Sequence, residues 1–353
     1  MVIATLGSHS ALDICRGAKD EGFHTLVIAQ KGREQTYANY YKTVDNLGCV
    51  DECLVLDKFS DILSLTRSDT IFIPHRSFEA YLDFDYDAIE NKFKLPIFGN
   101  KYLLKIEERG TSPNQYDLLK EAGIRYPLQY KNPAEIDRLC LVKVQEAGRK
   151  FERAFFLVDN EKDYHATVDQ KITQGIFTPA QLDQAVIEEF IVGVQVNLNF
   201  FYSPINKRLE LLGTDTRRQT NLEGLSKIPA SNQTEVLQKL SLQYEEAGHI
   251  AVTVLESMLE RAFELGERFV KASAKLYPPG IIGPFALQSI IIPGPPKKDF
   301  VVVDVSPRMP GSPGIAATPY GSYLYGEPRS AGRRVAMEIK SALSSGALSS
   351  ITT

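Results

Sequence analysis

Along the first hundred residues, short apolar runs alternate with amphipathic stretches: Val2 to Leu6, a helical pattern from about Ser10 to Asp20, Thr25 to Ala29, Leu54 to Leu56 and Thr70 to Ile73. Strands separated by helices are the rhythm of βαβ units, which predicts a parallel sheet. The pattern breaks at Leu95-Pro-Ile-Phe-Gly-Asn100. Beyond it, Lys101 to Arg109 and Pro113 to Ala122 read as helices, the second with Ser112 as its cap and proline at its first position. A first domain is expected to end at this break.

From Leu139 onward the apolar runs come in pairs: Leu139 to Val144 with Phe151 to Val158, Val194 to Tyr202 with Leu209 to Thr216, and Pro284 to Ile292 with Phe300 to Val305. Turn residues such as Ser203-Pro-Ile-Asn206 and Pro293-Gly-Pro-Pro296 separate the partners, so antiparallel hairpins are predicted. Helices are interleaved at Glu161 to Thr173, about Leu255 to Leu276, and Ala331 to Leu343. The Pro- and Gly-rich stretches Tyr277-Pro-Pro-Gly280 and Met309-Pro-Gly-Ser-Pro-Gly314 read as loops within the second domain. The expected fold class is α/β followed by α+β.

Composition narrows the picture further. A chain of 353 residues has room for two or three packed modules. With 43% hydrophobic and 24% charged residues it is an ordinary globular composition rather than a disordered one, and no apolar run is long enough to cross a bilayer. The net charge of −4 excludes the basic excess that draws a protein onto nucleic acid or anionic lipid. Small-molecule partners are expected instead. Of the four cysteines, Cys49 and Cys53 are the only close pair, with three residues between them, which is neither a redox CxxC nor half of a usual zinc ribbon. The first residues, Met1-Val-Ile-Ala-Thr-Leu, read as a strand without a basic leader, so a cytoplasmic location is expected.

Gly7-Ser-His-Ser10 follows the first strand and opens a helix, placing backbone N–H groups, two hydroxyls and an imidazole where a phosphate is favoured. Equally, Ser8 or Ser10 is a plain N-cap and His9 an incidental loop residue. A second apolar strand, Thr70-Ile-Phe-Ile-Pro, ends in His75-Arg-Ser77. Carboxyl ends of strands line the ligand crevice of open α/β sheets, so His9, Ser10, His75 and Ser77 are candidates to converge on one anion. Lys143 lies inside the apolar Leu139-Cys-Leu-Val-Lys-Val144, where it either meets an anion or sits at an exposed edge. Val186-Ile-Glu-Glu-Phe-Ile-Val-Gly193 is an apolar strand interrupted by paired acids, suited to an adenine edge or to a solvated sheet edge.

The last hairpin permits a geometric test. Pairing Pro284 to Ile292 with Phe300 to Val305 symmetrically about Pro296 sets Gln288 opposite Asp304. Directly opposed Cβ atoms lie ~4.5 to 5.5 Å apart, close enough for two oxygens to share a hard cation such as Mg²⁺. An ordinary buried polar pair is the alternative. Arg308, just beyond, brings positive charge to the same end.

Taken together, these segments resemble the archaeal formate-dependent FAICAR synthetases, ATP-grasp ligases of purine biosynthesis. The resemblance runs nearly end to end, through Ile3-Ala-Thr-Leu-Gly-Ser-His9, Pro74-His-Arg-Ser-Phe78, Phe98-Gly-Asn100, Ile187-Glu-Glu-Phe190, Phe201-Tyr-Ser-Pro204, Glu210-Leu-Leu-Gly213, Ile282-Gly-Pro-Phe285, Leu287-Gln-Ser289 and Tyr325-Gly-Glu327. It implies a Rossmann-like domain over residues 1–99 and an ATP-grasp domain over 100–353. The implied reaction joins formate to the aminoimidazole carboxamide ribotide AICAR, with ATP consumed and formyl phosphate as intermediate, in an enzyme expected to be a homo-oligomer.

By position, the resemblance implies ribotide binding at His9 and Ser77 and ATP binding at Lys143 and Glu188, Glu189, Phe190 and Ile191. It implies Mg²⁺ or Mn²⁺ at Gln288 and Asp304, where the family's second ligand is Glu. Ser10, His249 and Arg308 complete the expected substrate set; Arg149 and Gln219 complete the ATP set. Where the family has a GARGGRG loop, this chain reads Gln145-Glu-Ala-Gly-Arg-Lys-Phe-Glu-Arg153, with a single glycine, so Arg149, Lys150 and Arg153 are expected to replace backbone donors by side-chain charge. A family Glu is Gln219 here, and a family Asn is His249. These departures leave two other readings open: a diverged paralogue acting on another ribotide or carboxylate, and a purine-intermediate binding protein without turnover.

Overall fold

A computed structural model describes residues 1–108, 110–144, 154–183, 185–240, 246–294 and 296–353. The predicted βαβ rhythm gives a four-stranded parallel sheet from β1 (Val2–Leu6), β2 (His24–Gln30), β3 (Glu52–Leu56) and β4 (Thr70–Phe72), in the order β3-β2-β1-β4. The central strands are apolar on both faces because helices and loops cover both. One cover is the helix Ala11–Asp20, whose buried Ile14 and Ala18 face the sheet's Ile3 and Ile71.

The chain returns to this sheet at its end. The helix Ala331–Ser345 crosses Ala11–Asp20 at two glycines. A Cβ on Gly17 would lie 2.1 Å from the Arg333 backbone nitrogen, and one on Gly332 would lie 2.2 Å from the Asp13 carbonyl, so the crossing requires glycine on both helices.

Two antiparallel sheets follow. The smaller has the order β5-β8-β6-β7, from β5 (Gln129–Tyr130), β6 (Cys140–Val144), β7 (Ala154–Val158) and β8 (Val186–Glu189). The helix Glu161–Thr173 has the predicted bounds and sets Tyr164 and Val168 in the same small core as Val142 and Phe156. The larger sheet has the order β11-β10-β9-β12-β13, from β9 (Val194–Ser203), β10 (Arg208–Gln219), β11 (Glu246–Val252), β12 (Gly283–Ile292) and β13 (Asp299–Ser306). Leu265 and Phe269 of the helix Leu259–Leu276 fill one face of it with Phe200 and Phe285. The Phe285 ring stacks between Phe200 and Phe269, at 5.3 and 5.2 Å.

All three predicted hairpins pair as expected over the described residues; positions 151–153 of the first lie outside them. Elsewhere the local reading needs correction. Ser112 does not cap the helix expected over Pro113 to Ala122; that helix spans Gln115–Glu121 and is capped by Asn114, whose side chain accepts from the Tyr116 N–H while Asp117 accepts from the Asn114 N–H. Asn and Asp at these positions form a reciprocal cap that Ser112 is too distant to make. Lys101–Glu107 winds as a 3₁₀ helix rather than an α-helix running to Arg109. The run Val186 to Gly193 is a strand only as far as Glu189. Lys143 is not at an edge, since β6 lies between β8 and β7. Among the described residues no helix is long and apolar enough to cross a membrane.

Candidate active site

A cleft of about 550 Å³ opens where the three sheets meet. Its walls carry His9 from beyond β1, Arg76 and Ser77 from beyond β4, Val144 and Phe155 from the small sheet, and Asn197, Asp215, Gln288 and Asp304 from the large one. His249 and Arg308 join them. Four of the five expected substrate residues and both expected metal residues therefore share one cavity, although the chain separates them by up to three hundred positions.

At the parallel-sheet end, Ser10 lies beneath the surface rather than on the cleft wall. Its hydroxyl donates to the Pro310 carbonyl at 2.5 Å and lies 2.6 Å from His9 Nδ1. With the single hydroxyl proton committed to Pro310, Nδ1–H of His9 is the donor to Ser10, and Nε2 keeps the lone pair. His9 adopts φ 49°, an uncommon backbone conformation for a non-glycine residue, and its ring stacks on His75 at 5.2 Å. His75 is fully buried and donates from Nε2 to the Leu6 carbonyl at 2.8 Å, so it supports His9 and does not reach the cleft. Burial pushes the His75 pKa down to about 4; the Leu6 bond opposes this and the Arg308 charge adds to it. His9 is also held below its ordinary value, by the protein packed around its ring and by the charge of Arg308, with His75, His249 and Arg76 adding. Part of His9 stays open to solvent. A neutral imidazole with a lone pair on Nε2 accepts a hydrogen bond from a ligand N–H or O–H. It is a poor partner for phosphate.

Ser77, the second residue of the helix Arg76–Tyr81, donates to Ser8 at 3.0 Å, joining the two strand ends. Beneath it runs an ion network that sequence reading missed. Arg76 meets Glu79, Glu107 and Glu108 at 3.1, 3.2 and 2.9 Å, and Arg308 meets Glu107 at 2.9 Å. Glu79 is completely buried, and burial followed by the charge of Glu107 pushes its carboxyl up to about 8. Arg308 is thus partly neutralised by Glu107 before any ligand arrives.

The large sheet supplies a polar row. Asp215 on β10 pairs with Asn197 on β9, Asn197 with Gln288 on β12, and Gln288 with Asp304 on β13. Directly paired residues point to the same face, so four polar side chains stand side by side on the floor of the cleft. Asp215 accepts from Asn197 at 2.9 Å, Asn199 at 2.6 Å and His249 Nδ1 at 2.5 Å, while His249 Nε2 donates to Glu246 at 2.7 Å. Burial opposes the charged imidazole, but the bonds to Asp215 and Glu246 outweigh it and raise His249 to about 9. Asn197, Asn199, Asp215, Arg217 and Glu246 were not singled out from the sequence. The signal lay in Asn197 and Asn199, which with Gln195 set polar side chains at period two along a largely apolar strand.

Gln288 Oε1 accepts from Arg217 at 2.8 Å and its amide nitrogen donates to Ser306 at 3.0 Å. Among the described residues no three His, Cys, Asp or Glu side chains gather as a metal cage. The amide oxygens of Gln288 and Asn197 and the Asp304 carboxylate are nevertheless an all-oxygen donor set. Such a set fits Mg²⁺ or Mn²⁺, which use few carboxylates and complete their shell with water and substrate phosphates. The Asn197 oxygen is buried and has no hydrogen-bond partner among the described residues.

The expected ATP residues divide. Lys143 is buried in an ion pair with Glu188, whose other oxygen accepts from the Tyr116 hydroxyl at 2.9 Å. Neither Lys143 nor Glu188 lines the cleft, but Lys143 is the cross-strand partner of Phe155, which does. Glu189 accepts from the Leu128 N–H at 3.3 Å, and the Phe190 N–H donates to Leu139. Phe190 and Ile191 continue the segment leading from β8 to β9 and do not line the cleft. Gln219 ends β10 opposite Glu246 after a bulge, also off the cleft wall. Arg149, with Lys150 and Arg153, lies outside the described residues.

The parallel sheet, the two antiparallel sheets and the cleft at their junction define a mixed α/β protein with the fold of the carboxyaminoimidazole ribonucleotide synthetases. The ADP complex of N5-carboxyaminoimidazole synthetase from Staphylococcus aureus superimposes with a TM-score of 0.54 at 15% identity, over 88% of this chain and 71% of that one. The match to the IMP biosynthesis protein PurP from Thermococcus kodakaraensis is closer, with a TM-score of 0.76 and 31% identity over 99% of this chain and 100% of that one. The 5-formaminoimidazole-4-carboxamide-1-(beta)-D-ribofuranosyl 5'-monophosphate synthetase of Methanothermobacter thermautotrophicus is 37% identical, covering 100% of this chain and 94% of that protein. The chain belongs to that synthetase family. Two family models also match, one described as a domain of unknown function (DUF1297) over residues 163–353 and one as a protein of unknown function (DUF1246) over residues 3–130.

Proposed function

We propose that this protein is an ATP- and formate-dependent ligase that formylates AICAR to FAICAR in IMP biosynthesis. The observation that carries the reading is the single cleft holding His9, Ser77, His249 and Arg308 together with the Gln288–Asp304 pair. A ribotide and a phosphoryl donor bound there would be held next to each other, and such positioning supplies much of the catalysis in phosphoryl transfer. Residues 1–99 would act as a Rossmann-like domain and residues 100–353 as an ATP-grasp domain, with ATP reached through Lys143 and the Glu188–Ile191 segment. The name of the M. thermautotrophicus relative supports the product, and the ADP complex of a protein sharing the fold supports ATP use.

In this reading a formate oxygen attacks the γ-phosphorus of ATP, ADP leaves, and the AICAR amine attacks the carbonyl of the formyl phosphate, expelling phosphate. A divalent cation held by Gln288 and Asp304 would supply charge neutralisation at the phosphates. The lone pair of His9 Nε2 would accept a hydrogen bond from the ribotide and orient it, and Ser77 would add a hydroxyl contact. His249, protonated between Asp215 and Glu246, acts as a fixed cation and is a poor general base while both of its nitrogens donate. We assign the protein to the cytoplasm and expect a homo-oligomer. The test is ADP release measured with ATP alone, with formate, and with formate plus AICAR. Release that requires both co-substrates and yields FAICAR is expected; AICAR binding without formate-dependent ADP release would leave a binding protein.

A further inference from the structure

We propose that Asn197 is a third oxygen ligand of the divalent cation, completing a cross-strand site with Gln288 and Asp304; this rests on the metal reading given above. Asn197 pairs with Gln288 across β9 and β12, and Gln288 pairs with Asp304 across β12 and β13, so the three side chains stand in one line on one face. Neighbours in such a line have Cβ atoms ~4.5 to 5.5 Å apart, and all three residues line the cleft.

The orientation of the amide is settled by its other neighbour. Asp215 accepts from Asn197 at 2.9 Å, and an ionised carboxylate can only accept, so the nitrogen of Asn197 must face Asp215 and the oxygen must face away from it. That oxygen is buried in a residue 4% exposed, and it has no hydrogen-bond partner among the described residues. Leaving such a group unsatisfied is costly, and a hard cation is a partner that an oxygen in this position suits. Asp215 is itself held by further donors, Asn199 and His249. It therefore acts as a positioning residue that locks the Asn197 oxygen toward the row.

Arg217 belongs to the same picture. It donates to Gln288 Oε1 at 2.8 Å, placing a guanidinium charge where the cation would share that oxygen. The two positive charges on one oxygen would repel, which favours Arg217 turning from Gln288 toward Glu246, 3.3 Å from its Nε, when the metal binds.

The test is Mn²⁺ titrated into the full-length protein with saturating ADP, bound metal being read from loss of the free-ion EPR signal. Asn197→Ala should weaken Mn²⁺ binding about tenfold or more. Asn199→Ala removes an equivalent hydrogen bond to Asp215 from a residue outside the row, and it should change Mn²⁺ binding less than about twofold. Metal-free ADP affinity and the melting temperature of each variant exclude a folding defect. If Asn197→Ala binds Mn²⁺ like the parent, or if both variants weaken it equally, Asn197 is not a ligand. Loss of Mn²⁺ binding in Asp304→Asn with none in Asn197→Ala would overturn this inference and leave the two-residue metal reading standing. A parent protein that binds no Mn²⁺ would overturn both.

Discussion

Gln288 lies directly opposite Asp304, but only because the hairpin between them contains a bulge. Near the turn Ile292 faces Asp299 and Ser289 faces Val302, a register that would set Gln288 against Val303. One extra residue on β13 shifts the pairing so that Gln288 meets Asp304 instead. Bulges re-aim side chains in this way near functional sites. Here the bulge brings the carboxylate onto the row of Asn197 and Asp215.

If that carboxylate serves a cation, Asp304→Asn should lower metal-dependent turnover by about a hundredfold or more, with the melting temperature almost unchanged because shape is preserved. The measurement is ADP release against Mg²⁺ concentration. An unaltered Mg²⁺ dependence would remove Asp304 from the metal site.

His9 presents a lone pair to the cleft, and the expected consequence is selective. His9→Ala should weaken AICAR binding about tenfold, equivalent to about 1.4 kcal/mol, and leave ATP affinity within about twofold, both read by calorimetry. Equal weakening of the two ligands would place His9 elsewhere in the reaction or implicate the fold.

His249 makes stability depend on pH with a definite sign. Its folded-state pKa of about 9 exceeds the ordinary 6.5, so its contribution is full below pH 6.5 and is lost as pH rises through 9. A shift of this size corresponds to roughly 3 kcal/mol, reduced to about half by solvent screening in the open cleft. Glu79, raised to about 8, acts in the same sense at lower pH, its destabilising ionisation growing between about 4.5 and 8. Melting curves of the parent and His249→Asn from pH 6 to 10 separate the two. The variant should lose the decline between 6.5 and 9 that belongs to His249; identical curves would show that the imidazole is not held protonated.

Lys143 and Glu188 are buried together, so removing one should be worse than removing both. Lys143→Met leaves Glu188 without its cation and is expected to cost about 3 to 5 kcal/mol in urea unfolding, and Lys143→Met with Glu188→Leu should recover much of that. A single variant as stable as the parent would mean that the pair carries little charge in the folded state. ATP binding should be lost in both variants, since both lack the lysine.

Features that depend on near neighbours along the chain were already legible in the sequence. The bounds of β1 at Val2–Leu6 and of the helix Glu161–Thr173 follow from apolar periodicity, and the three hairpins follow from paired apolar runs separated by Pro, Gly and Asn. The motifs at His9, Ser77, Gln288 and Asp304 were legible for the same reason, each at the end of a strand or in a short hairpin. Tertiary structure decided the rest. The partnership of Lys143 with Glu188 and Tyr116 depends on β8 lying beside β6 and on a helix from elsewhere reaching them. The row from Asp215 to Asp304 depends on β12 inserting between β9 and β13, eighty-odd residues after β9, and on a one-residue bulge at Val303. No local pattern encodes such a register, because a slip of one residue turns every side chain of a strand to the other face; the packing of Phe200, Phe285 and Phe269 on the opposite face is what holds the polar row toward the cleft.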